Sequence, residues 1–181
     1  MRNCLVNSGV LSGDFEIKGT FTVGYDVSDT LKFVGNVLVT DTLMANSYGG
    51  GYGIYNLCID GNLTNNGVVK DNMDADAVLN DDDLCILTTG DIINNGLWSC
   101  KYVKLTGSNT QFVSQATGRY FDSFFYDLNA SGNTQALSDI TISKDFNLNT
   151  ASLEMDGNVL TLGGWLKDGI IMNARLRNGF L

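Results

Sequence analysis

Proline and histidine are both absent from this 181-residue chain. With no proline, no backbone N–H is missing, so any segment is able to sit inside a hydrogen-bonded sheet. With no histidine, the four cysteines have no imidazole base for thiolate catalysis. Their spacing is also too loose for a zinc cluster. Charge is scarce: charged residues make up 17% of the chain, and the 11 basic residues are outnumbered by 20 acidic ones. The resulting net charge of −9 argues against nucleic acid and against a polybasic membrane contact, both of which need clustered Lys and Arg. No apolar run is long enough to span a bilayer. The first residues, MRNCLVNSGV, lack the apolar core of a signal peptide, so a secreted protein would be represented here by a mature form or an excised piece.

What the chain does have is alternation. In Ile140–Gly164 the apolar pairs Ile140/Ile142, Phe146/Leu148, Leu153/Met155 and Leu160/Leu162 each have the two-residue period of a strand with one buried face. Turn formers separate the pairs: Lys-Asp, Asn-Thr-Ala-Ser and Asp-Gly-Asn. The restarts come faster than the ~8–12 residues of a hairpin sandwich. Three of them make a circuit of roughly 20 residues, the length of one coil of a β-solenoid. Earlier segments repeat the pattern with Phe15/Ile17, Phe21/Val23, Leu31/Phe33 and Val37/Val39. A glycine followed by Asn or Asp opens strands at Gly13, Gly35, Gly61, Gly90 and Gly157. The fold expected is all-β, a single β-solenoid over 1–181 with irregular loop insertions.

Two units, LCIDGNLTNNGVV (57–69) and LCILTTGDIINNGLW (84–98), match closely. The match predicts that Cys58 and Cys85 stack as buried thiols in successive coils, where a disulfide would be within reach if the coils are adjacent. Their Asn-Asn-Gly turns accept positive φ and suit structural stacking.

Three insertions or patches are candidate sites. Residues 46–55, NSYGGGYGIY, hold Tyr48, Tyr52 and Tyr55, which offer rings to a sugar or partner unless the loop is a plain connector. Residues 70–84, KDNMDADAVLNDDDL, place Asn72, Asp74, Asp76, Asn80 and Asp83 at positions one, three, five, nine and twelve of a calcium-type loop. That segment resembles a dockerin-type or EF-hand-type loop, with Ala77 where glycine is expected and Asp in place of the last Glu; its plain alternative is a solvated acidic loop. The aromatic run Tyr120, Phe121, Phe124, Phe125 and Tyr126, beside Arg119, reads as core stacking before it reads as a carbohydrate platform.

The ordered series LTNNG, GDIINNGLW, VKLTGSNTQFVS, SFFYDLNASGN and SDITISKDFNLNTASLEMDGNVLTLGG resembles the repeat of large secreted, adhesin-like surface proteins of Bacteroidetes-type bacteria. The resemblance covers 57–170, with a weaker copy at 10–45. It implies a right-handed parallel β-helix, export, and a cell-surface or matrix role, and it supplies no catalytic residues. The expected function is therefore a non-enzymatic structural or adhesive module of a longer extracellular protein or fibre. It would need no cofactor, with calcium as a candidate ion. Expected partners are further copies stacked end to end, or a glycan or surface. The alternatives are a polysaccharide-binding or polysaccharide-degrading β-helix protein, and a phage or viral fibre segment.

Overall fold

A computed structural model describes residues 4–6, 8–24, 30–45, 53–73, 81–130 and 132–178. Every regular element among them is a β-strand, and the pairing is parallel except for one short antiparallel neck. The strands fall into three ladders. The first joins Cys4–Val6, Thr20–Val23, Thr42–Ala45, Val68–Lys70 and Leu97–Ser99. It leads through a bridge between Phe121 and Ile142 to Ile140–Ile142, Val159–Leu162 and Arg175–Asn178. The second joins Gly9–Ser12, Thr30–Val34, Gly53–Asp60, Asp81–Thr88, Tyr102–Leu105 and Phe124–Asp127. The third joins Phe15–Ile17, Val37–Val39, Leu63–Asn65, Ile92–Asn94, Gln111–Gln115 and Asn133–Ala136. The chain visits first, second and third in rotation, so each parallel neighbour lies one circuit away.

Alternation explains the burial. Within a strand, one set of side chains points to the space enclosed by the ladders and the other set points out. Phe21, Leu43, Val69 and Trp98 line the inside of the first ladder, and Leu31, Leu57, Ile86 and Val103 that of the second. Val37, Leu63, Ile92 and Val113 line the third. Together they form one continuous core.

The corners are built by the Gly-Asn/Asp pairs. Asn36 N–H donates to Asp14 Oδ1 (2.8 Å), Asn62 N–H to Asn36 Oδ1 (3.0 Å), and Asp91 N–H to Asn62 Oδ1 (2.7 Å). Each short side chain thus caps the next circuit's backbone. Glycine precedes Asn36, Asn62 and Asp91 because the stacked backbones leave no room: a methyl on Gly35, Gly61 or Gly90 would overlap the glycine carbonyl one circuit below. The pair at Gly157-Asn158 is different. It opens a strand of the first ladder, and Asn158 Nδ2 donates to Ala136 O instead.

Two sequence expectations are corrected. Asn149 to Ser152 is not a turn: Phe146–Glu154 is one nine-residue strand. It bends where Asn149 takes φ 52° and its register shifts, so its first half continues the second ladder and its last residues continue the third. The two Leu-Cys-Ile units are also out of register. Cys58 stands opposite Leu87 and Cys85 opposite Asn56, and all four cysteines are free thiols. The stacked corner causes the slip: Cys58 lies three residues before Gly61, whereas Cys85 lies five before Gly90. A slip of two keeps every side chain on its face, so packing allows it.

Candidate functional site

The outward face of the second ladder brings aromatic rings, ammonium groups and thiols together. One row across it runs Asn56, Cys85, Tyr102, Phe124. The next runs Lys32, Cys58, Leu87, Lys104, Tyr126, Asn147, Lys167. The strands Tyr102–Leu105 and Phe124–Asp127 turn Val103, Leu105 and Phe125 into the core and leave Tyr102, Lys104, Phe124 and Tyr126 outside.

The rings and cations of this face interlock. Tyr102 and Tyr126 lie 6.4 Å apart, inclined at 45°, and Tyr102 and Phe124 lie 5.9 Å apart. Lys104 Nζ sits 6.0 Å from the Tyr102 ring centre and 5.9 Å from that of Tyr126. Lys101 and Lys144 lie over Tyr102 and Phe124. Lys101 is ion-paired with Asp83 at 2.7 Å and Lys144 with Asp122 at 3.6 Å. Lys104 has no carboxylate partner among the described residues; its ammonium stands beside the Cys85 thiol. Tyr102, Lys104 and Tyr126, with the exposed Ile54 and Leu128, line a concavity of about 280 Å³.

The sequence run of aromatics is therefore split by the strand period. Phe121 and Phe125 are core residues, in edge-to-face contact with Trp98 and Phe146 respectively and with each other. Phe124 and Tyr126 face out, and Tyr120 is exposed beside Arg119. Tyr102 and Lys104 were not singled out by sequence. Their signal was the alternation of Tyr102-Val103-Lys104 set beside Phe124-Phe125-Tyr126, which only the register aligns.

A second, polar groove of about 480 Å³ runs between Arg119 and Arg177 over Gln115, Thr141 and Thr161. Several of its groups already serve the fold: Gln115 Oε1 accepts from Thr141 N–H, and Asp139 Oδ1 from Val159 N–H.

Of the calcium-loop residues, Asp74, Asp76 and Asn80 lie outside the described residues, as do Tyr48 and Tyr52. Asn72 and Asp83 are described. Asn72 and Met73 pair with Asp82 and Asp81 in a short antiparallel neck, so the insertion starts and ends side by side. Asp83 is already in the strand Asp81–Thr88, buried and paired with Lys101. Beneath the neck, Asp71 Oδ1 accepts two backbone N–H groups, from Leu84 at 2.7 Å and Lys101 at 3.0 Å. Burial nonetheless pushes its carboxyl up to about 6. Among the described residues no three His, Cys, Asp or Glu side chains converge to hold a metal ion. Tyr55 is not a surface ring. It is 3% exposed, and it packs against Gly24, where any side chain would collide with it.

Cys85 and Cys100 are buried, whereas Cys58 is only half-buried on the outward face and is not the buried thiol the sequence predicts. Burial raises the thiols of Cys85 and Cys100, so both resist becoming the reactive thiolate. No helix among the described residues is long and apolar enough to cross a membrane. No family model matches the chain, and no curated protein or solved structure matches it either.

Proposed function

We propose that the chain is a structural or adhesive module: a right-handed parallel β-helix that stacks end to end with further copies in an exported, cell-surface or matrix setting. Right-handedness follows the general preference of parallel crossover connections. The rotation of the chain through three parallel ladders supports the coil. The carboxylates support a scaffold rather than a catalyst. Asp14, Asp71, Asp91, Asp139 and Asp145 each spend an oxygen on a backbone N–H of a neighbouring segment. Burial of two thiols is compatible with an oxidising compartment, because inert thiols survive there.

The observation that carries the stacking is the last described rung. Leu166 and Leu176 continue the core positions of Phe146 and Leu160, yet they are 41% and 62% exposed. Trp165 beside them is 76% exposed. An apolar core section of this kind is what a further rung would cover, whether contributed by continuing chain or by another copy. Sedimentation velocity over a wide concentration range tests the reading. Concentration-dependent rods are expected, and Leu176→Asp is expected to abolish them while the melting curve persists. A monomer at every concentration overturns it.

A further inference from the structure

We propose that the concave face of Tyr102, Lys104 and Tyr126 binds a uronic-acid sugar, as one or two units of an acidic polysaccharide. This goes beyond the scaffold role, because it assigns a ligand to the side of the coil rather than a partner to its end.

Three observations carry it. The first is shape. The two tyrosine rings are inclined at 45° and 6.4 Å apart, so they form a shallow trough instead of a flat wall. Ile54 and Leu128, 43% and 41% exposed, close its margins. A volume of about 280 Å³ lies at the small end of ligand clefts, which suits a short stretch of sugar and not a protein surface. The second is chemistry. Aromatic faces carry negative quadrupole charge and attract the positively polarised C–H face of a pyranose ring. Tyrosine hydroxyls can add hydrogen bonds to sugar hydroxyls.

The third is charge. On a chain of net charge −9, Lys104 is a cation with no carboxylate partner among the described residues, and two rings hold it in the trough. Its neighbours Lys101 and Lys144 are already neutralised by Asp83 and Asp122. A ligand carboxylate would supply the counter-ion that the described residues do not provide, and a lysine so placed selects an acidic sugar over a neutral one. A ligand of one or two sugar units presents a single carboxylate to Lys104 and carries too little further charge for the acidic surface to outweigh that contact.

Calorimetric titration of the full chain with oligogalacturonate, and with its methyl ester of equal length, tests the proposal. The ester keeps the rings and masks the charge. The acid form is expected to bind about tenfold more tightly than the ester. Lys104→Met is expected to erase that difference. Tyr126→Ala is expected to weaken both ligands by about tenfold, with Tyr126→Phe retaining most of the affinity. Circular dichroism of Lys104→Met and Tyr126→Phe, which keep the ladder's packing, separates lost binding from lost folding. The proposal is overturned if neither oligosaccharide binds or if acid and ester bind equally. It is also overturned if Arg177→Gln in the polar groove abolishes binding while Tyr126→Ala leaves it intact.

Discussion

Asn65 and Asn94 stand one above the other inside the molecule, and Asn65 Nδ2 donates to Asn94 Oδ1 at 3.0 Å across 29 residues of sequence. Both are fully buried. Asn65 Nδ2 also reaches Leu97 O, and Asn94 Nδ2 reaches Tyr120 O, so each amide ties its own strand end to the next circuit. Outside them, Asn95 Nδ2 donates to Asn66 Oδ1 at 2.9 Å. A buried amide is tolerable only while its hydrogen bonds are made.

Asn94→Ala is therefore expected to destabilise the fold by about 2 kcal/mol, since the buried Asn65 amide loses its Asn94 acceptor and Tyr120 O loses the Asn94 donor. Asn65→Ala should cost a similar amount. Urea unfolding of both singles and the double measures the coupling, expected at about 1 kcal/mol. Additive losses would mean that the two amides do not support each other.

Gly96 and Gly157 separate space from backbone strain. A methyl on Gly96 would overlap the Gly67 carbonyl one circuit below, whereas Gly157 has φ +81° and open space around it. Gly96→Ala is expected to cost about 3 kcal/mol through overpacking. Gly157→Ala should cost about 1 kcal/mol through the left-handed backbone alone. Thermal melts that rank them the other way round would refute the stacked-corner account.

Asp71 gives the stability a pH dependence of known sign. Its folded carboxyl sits near 6 against an ordinary 3.8, because desolvation outweighs the N–H groups of Leu84 and Lys101 that favour the charged form. Between those values the folded chain holds a proton that the unfolded chain has released. This contribution therefore falls as pH rises from about 4 to about 6, and levels off above. Asp71→Asn keeps an oxygen for the two N–H donors and removes the charge. It is expected to be more stable than the parent at pH 7 and to lack that slope, as denaturant midpoints across the pH range would reveal.

Calcium at the acidic insertion would have to draw Asp83 away from Lys101, which holds it at 2.7 Å. Lys101→Met frees that carboxylate. A calcium-dependent rise in melting temperature is expected to be larger in Lys101→Met than in the parent. No shift in either protein means that Asp83 serves as the partner of Lys101 and that the insertion takes no calcium.

The sequence by itself determined which residues face inward. Period-two alternation is a local property, and the pairs Leu31/Phe33, Val37/Val39, Ile140/Ile142 and Leu160/Leu162 all point to the core as their spacing requires. It also marked the corners, because only glycine followed by a short amide or carboxylate suits the stacked turns at Gly35, Gly61 and Gly90. Registration between circuits was decided only in the tertiary structure. It depends on the summed lengths of every insertion and on which backbones meet at a corner, so identical Leu-Cys-Ile units end up two residues apart. The same long-range register sets Lys104 between Tyr102 and Tyr126 and hides Tyr55 against Gly24. Neither follows from any window of sequence, because the partners are contributed by different turns of the chain.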